Sequence, residues 1–415
     1  MNKYSLGKNL LFAGCFLLPT SGYIGPFLIF LACICGSSLQ GFRSLFSKKM
    51  YPLYLLSVLI LMSAFASPFG LRSCAGVFNW LPFFWLFWSL SIYLRDKNNI
   101  RCVAMSLVYG TIPVLIIGFS QLIFRFNESA RIFGSFIVWH VIDNGEFAGV
   151  FYNRNICAAW LAASFPFFVA AIGSQIHSRE DIPRKVVASL ALFSVSLAMV
   201  LTNSRNAIGS LIFGSLGMIA GFFTASHSIG GFRFSRFSIA LFVIAVASSF
   251  SFCLGFVNPA LVALSQFFAD EQRLEIWRFG VLIASSNFLV GSGPGGFTGY
   301  VSLLSPFDQT VYHVHSLPLD LWVSYGFVAL AVFLVYVFAW LLAAIRSGML
   351  QESLFGRAWI IAFVLLIIVH VTDLPYLDAR INLVGWILFT GIVSRAESSA
   401  LESREPSNYA LINID

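Results

Sequence analysis

The sequence predicts an all-α polytopic membrane protein of about 12 transmembrane helices, since each span needs roughly 20 apolar residues and such runs recur throughout. Three observations carry that prediction. First, 58% of the 415 residues are hydrophobic and 10% charged, with 45 phenylalanines and a mean hydropathy of +0.84, far above a soluble domain. Second, the apolar runs repeat along the whole length, so they are not one removable leader. Third, they are long and unbroken, whereas barrel strands alternate; in lipid the remaining way to satisfy every backbone N–H and C=O is the helix.

Residues 9–39 read as two spans broken near Pro19 and Gly22, followed by a basic loop with Arg43, Lys48 and Lys49 that belongs in the cytoplasm. Spans at 51–66 and 74–93 lead to a second charged loop, Arg95 to Arg101, and a fifth span covers 102–124. A polar break holding Arg125, Glu128, Arg131, His140, Asp143, Glu146 and Arg154 is placed outside, before a sixth span at 155–174. Spans seven and eight, 186–202 and 206–224, meet at the short polar junction LTNSRNAIGS. Span nine, 238–257, enters a long outer segment that continues to residue 315. Spans ten to twelve start near 316, 358 and 382, with TDLPYLDAR as the last outer turn. This divides the chain into helices 1–9 (1–257), an outer segment (258–315), helices 10–12 (316–394) and a polar cytoplasmic tail (395–415) expected to be disordered.

The cations test this arrangement. All six lysines fall on the inner side, whereas the outer positive charges are Arg72, Arg125, Arg131, Arg154, Arg205, Arg273, Arg278 and Arg380, every one an arginine. Guanidinium is preferred where a phosphate or carboxylate is recognised by two parallel hydrogen bonds, so the outer face reads as built for an anionic ligand; headgroup contact is the plainer alternative. The net charge of +7 follows from the inside rule and implies no nucleic-acid partner. The seven cysteines lie mostly inside apolar runs without a CxxC pair, so neither a disulfide framework nor a zinc site is expected.

Within that outer face, Arg205 stands among Thr202, Asn203, Ser204 and Asn206 between two spans, where an ionisable residue usually faces a cavity or partner. Arg273 and Arg278 lie in QRLEIWRFGVLIA, whose Leu274, Trp277, Val281 and Ile283 recur at helical spacing, as in a helix lying on the membrane face. Arg278 reads as an interfacial anchor; for Arg273 anchor and ligand-binding readings both stand. GSGPGG at 291–296 has no following Lys and Ser or Thr, and reads as a tight turn before it reads as a phosphate cradle. His313 and His315, with Asp320 further on, read first as a general base with its orienting acid, next as a structural pair, and last as metal ligands, because no third and fourth ligand is visible. Asp373 and Asp378 with Arg380 either pair among themselves or hold an arginine or histidine of the site.

TNSRNAIGSL, RLEIW, FLVGSGPGGF and HVHSLPLDLWVSYGFVAL, in that order, resemble the O-antigen ligase and polymerase superfamily of bacterial envelopes, and GVFYNRNICAAWLA resembles its upstream Gly-x-Phe-x-Asn-x-Asn segment. The resemblance implies a glycosyltransferase type C-like bundle in the bacterial inner membrane, its site facing the periplasm. Such an enzyme takes a glycan from an undecaprenyl-diphosphate carrier and passes it to a hydroxyl, here a lipid A-core sugar, with no cofactor and no metal. By the same resemblance Arg205 and Arg273 match the arginines assigned to the diphosphate, His315 the histidine assigned to the acceptor, and Asp373 an acidic position of the ligases. His313, Arg131, Arg154, Asn155, Asp320 and Arg380 complete the candidate substrate-binding set. Ser316 departs from the family, which often has Asn there. The protein is expected to act as a monomer among membrane lipids. Ligase is favoured over polymerase by the compact loops and by TDLPYLDAR; a transporter, the reading of another class, predicts an internal repeat that is not seen.

Overall fold

A computed structural model describes residues 2–124, 130–132, 137–139, 146–176, 182–225, 271–304 and 311–402. Among them the chain is almost wholly helical. The helices are α1 (Lys3–Leu17), α2 (Ile24–Leu39), α3 (Tyr51–Ala66), α4 (Leu71–Gly76), α5 (Leu81–Leu90), α6 (Lys97–Phe124), α7 (Arg154–Ile176), α8 (Ile182–Leu201) and α9 (Arg205–Ala225). They continue with α10 (Glu271–Ser286), α11 (Gly296–Leu304), α12 (Leu317–Arg346), α13 (Met349–Glu352), α14 (Leu354–Thr372) and α15 (Ala379–Glu402). Five of these, α6, α7, α8, α12 and α14, are long and apolar enough to cross a membrane. The protein is therefore a polytopic membrane protein. The expected ninth span, 238–257, lies outside the described residues.

The bundle is organised around α7, whose apolar stretch is buried throughout and packs against α6, α8, α9 and α14. Its sequence explains that position. Ala158, Ala159, Ala162 and Ala163 present a thin surface that lets neighbouring backbones approach, which is how helices associate when lipid offers no hydrophobic contrast. Phe165, Phe167 and Phe168 then fill the wider gaps towards its other end. The helix begins at a sequence-encoded cap, where the Asn155 amide donates to the Asn153 side chain at 2.7 Å. The Ser353 side chain likewise caps α14 by accepting from the Gly356 amide at 3.0 Å. By contrast α8 and α12 leave most of their apolar stretch uncovered, as lipid-facing helices do.

One helix is broken, and the break positions the site. At Gly326 in α12 the backbone turns to φ 83°, ψ 167°, which releases the carbonyls of Val323 and Ser324 from the helical ladder. The turn at 291–296 takes them up. Ser292 N–H donates to Val323 O at 2.8 Å and Gly293 N–H to Ser324 O at 2.9 Å, while the Ser63 hydroxyl of α3 also donates to Ser324 O at 2.5 Å. Glycine is required here because a Cβ on Gly291 or Gly326 would collide with the facing backbone, and both have positive φ. The Gly-rich turn is thus a tight turn whose Ser292 and Gly293 amides are spent on a broken helix.

Three expectations change in detail. Helix α10 forms, but Leu274 and Val281 point outward; it docks through Ile276, Gly280, Ile283 and Ala284 onto the start of α12, because Gly280 admits Val314 and Leu319 at close range. The polar tail does not begin at Arg395: α15 continues to Glu402, held by Arg395 donating to Arg95 O at 2.8 Å and to Glu352 at 2.6 Å and by the 2.7 Å ion pair of Lys49 with Glu397. A small antiparallel ribbon, β1 (Ala130–Ile132) with β2 (Ile137–Trp139), departs from the all-α expectation.

Candidate functional site

At one end of the bundle α8 stops, α9 starts, α14 stops and α12 starts. The last three of these termini are tied together by side chains. Thr372, the last residue of α14, donates its hydroxyl to the Asn206 side chain at 2.7 Å, which fixes the N-terminus of α9, and so Arg205, beside it. Its carbonyl accepts from the Arg273 guanidinium at 2.9 Å, so a cation closes the negative end of α14 and anchors α10 there. The next residue, Asp373, faces the loop that opens α12: its carboxylate lies 3.1 Å from His315 Nδ1 and also accepts from the Leu374 amide at 2.8 Å. His313 completes the group, its ring centroid 4.1 Å from that of His315.

The backbone is strained at two places, both in this cluster. Asn203 at φ 50° and His315 at φ 51° are the positive-φ residues other than glycine among those described. Asparagine tolerates the left-handed region; histidine does so at some cost, of a kind that surrounding structure must hold in place. The result for His315 is a ring turned towards Asp373 rather than along the following helix. Its side chain is 27% exposed against 9% for the carboxylate, so the imidazole is open to an incoming group and the acid behind it is shielded.

The electrostatics follow from that placement. Burial acts to raise the Asp373 carboxyl, but the His315 hydrogen bond and charge, the Leu374 amide and Arg273 together hold it below the usual carboxylate range. His313 is pushed down to about 4, first by burial, then by the neighbouring charges of His315 and Arg273, with Asp373 opposing. His313 is therefore neutral near pH 7. In the tautomer whose Nδ1–H donates to Asp373, the His315 ring carries its lone pair on Nε2.

Other candidates lie apart from this group. Arg380 is buried, forks onto Asp378 at 2.9 and 2.6 Å, donates to Pro19 O at 3.3 Å and Val150 O at 3.4 Å, and lies over the Phe151 ring at 4.1 Å; it knits three segments together. Asp320 is buried and accepts from the Tyr376 hydroxyl at 2.8 Å, so it holds the turn after α14 rather than either histidine. Arg154 pairs with Glu146, and Asn155 sits beside it in the first turn of α7. Arg131 lies on β1, and its side chain is outside the described residues. Arg278 is exposed on α10. Sequence reasoning did not single out Thr372 as a link, although Asn206 was visible as one of the polar neighbours of Arg205.

Next to the site an apolar cavity of about 200 Å³ runs between α12, α14 and α15, lined by Leu317, Leu334, Phe363, His370, Tyr376 and Trp386 among others.

Three of the four anchoring segments also carry the family likeness. Residues 188–334 match the family model described as O-antigen ligase. That stretch is thus similar to the O-antigen ligase and polymerase superfamily. The matched stretch is about a third of the chain and includes Arg205, Arg273, His313, His315 and Asp320; Thr372, Asp373 and Arg380 lie beyond it. The family points to a membrane glycosyltransferase of that type, working on a polyprenyl-linked glycan and a lipid-linked acceptor, and to the bacterial inner membrane. A comparison with curated proteins found no match.

Proposed function

We propose that this protein transfers a glycan from an undecaprenyl-diphosphate carrier to a sugar hydroxyl of lipid A-core, with inversion at the transferred sugar and without a metal. The reading is supported by one observation: at the end of α14, Thr372 holds the Arg273 guanidinium and the Asn206 side chain next to Arg205, and the following residue, Asp373, pairs with His315. In the reaction the acceptor hydroxyl gives its proton to His315 Nε2 and attacks the anomeric carbon as the bond to the diphosphate breaks. The departing diphosphate gains negative charge, which the two guanidinium groups and the N-terminus of α9 stabilise at a low-dielectric boundary. Asp373 holds the tautomer that makes this possible and stabilises the imidazolium formed. The apolar cavity beside Leu317 is suited to the hydrocarbon of a lipid-borne substrate. On this reading the site faces the periplasm, opposite the lysine-bearing loops.

Purified protein incubated with carrier-linked glycan and lipid A-core in the presence of EDTA is expected to yield the glycosylated core, identified by mass. Arg205→Ala and His315→Ala are expected to abolish it. If carrier-linked repeats are joined to one another instead, the polymerase reading takes its place; a glycan moved across proteoliposomes with no covalent product would overturn both.

A further inference from the structure

We propose that His313, His315 and Asp373 form a binding site for a transition-metal dication of the zinc type, and that filling it switches the site off. The sequence showed only an HxH pair; the fold supplies the missing carboxylate from a segment 58 residues away. The potential ligand atoms of the three residues all lie within 4.8 Å of one another. A tetrahedral zinc with bonds of about 2.0 to 2.2 Å separates neighbouring ligands by roughly 3.3 Å. His315 Nδ1 and Asp373 Oδ1, 3.1 Å apart, already meet that spacing, and a ring nitrogen of His313, carried on the same short loop and within 4.8 Å of the other ligand atoms, has only to draw in to close the third side. Two imidazoles and a carboxylate are borderline ligands that favour zinc, cobalt or copper over magnesium or calcium. The exposure of His315 leaves the fourth position open to water. Arg273, which acts on both His313 and Asp373, opposes a second cation, so binding in the micromolar range is expected rather than the tight closure of a structural zinc.

Occupation has a chemical consequence, which rests on the reading of His315 as the proton acceptor. A metal on Nδ1 takes the place of the proton donated to Asp373, and the neutral ring then carries its proton on Nε2. The lone pair that receives the acceptor's proton is gone, and Asp373 is drawn onto the metal.

The test uses the full-length protein in detergent micelles, stripped with EDTA. Titration with Co(II) is expected to produce the visible absorption of a four-coordinate site at one equivalent, displaced by Zn(II). His313→Ala and Asp373→Asn are each expected to weaken binding by more than about tenfold; His313→Ala removes an imidazole without touching the Asp373–His315 pair, so it serves if the other variant misfolds. No such spectrum, or binding unchanged in His313→Ala, overturns the site. Zinc is also expected to stop glycan transfer and EDTA to restore it. A rate indifferent to bound zinc overturns the switching. Cobalt binding in a protein that transfers nothing, with or without EDTA, upholds the site and counts against the proposed reaction instead.

Discussion

His315 illustrates how much a single residue depends on its backbone here. Its left-handed conformation aims the imidazole at Asp373, and the carboxylate is kept ionised by the same neighbours. The acid side of the pH–stability curve reports on this. The value of about 4 for folded His313 lies below the ordinary 6.5, so on acidification the unfolded chain takes up its proton first. Stability from neutral His313 is complete above pH 6.5 and is lost as pH falls from there towards 4. Asp373, with its folded value depressed, contributes above the ordinary carboxylate range and loses that contribution at still lower pH. Thermal unfolding in detergent is expected to show Tm falling between pH 6.5 and 4, with a flatter slope in His313→Ala. At Arg205 the fork matters more than the charge. Arg205→Lys is expected to lower the transfer rate by about a hundredfold or more at unchanged Tm, measured by single-turnover product formation.

At the scale of elements, the helices were legible because lipid permits little else. The span at 155–174 that forms α7, the QRLEIW helix and the polar junction before α9 could all be read from residue type and spacing. What could not be read was which face of α10 docks, since Leu274 and Ile276 are equally apolar and only the gap over Gly280 decides between them. Nor could the partner of His315 be read: Asp320 is close in sequence, Asp373 is close in space, and the break at Gly326 with the turn after α14 determines which one arrives. That break is testable. Gly326→Ala is expected to destabilise the protein by about 1 to 3 kcal/mol or more through its positive φ and the facing Leu289 carbonyl. Ser63→Ala, which removes one donor to the freed Ser324 carbonyl, is expected to cost about 1 kcal/mol. Both are measured as unfolding midpoints in micelles.

Over the whole molecule, charge is sorted to the two ends of the bundle. At the end away from the site, Lys49 is buried and paired with Glu397, Arg395 and Lys97 share Glu352, and the Tyr336 hydroxyl donates to Lys49 O at 2.7 Å. Burial lowers the Lys49 ammonium, with Glu397 opposing that effect and Arg95 reinforcing it. Glu397→Gln is expected to cost about 3 to 5 kcal/mol, because it strands a buried cation, whereas the double change Lys49→Met with Glu397→Leu costs much less. Ranked melting temperatures of the two proteins check this. The region matching the family stops at residue 334, yet the acid behind His315 and Thr372, whose hydroxyl donates to Asn206 next to Arg205 and whose carbonyl accepts from Arg273, sit on α14 and its following turn. A graft of residues 188–334 into another bundle would therefore carry the arginines and the histidines but leave their scaffold behind. Swapping specificity between relatives requires the last two helices to travel with the donor block.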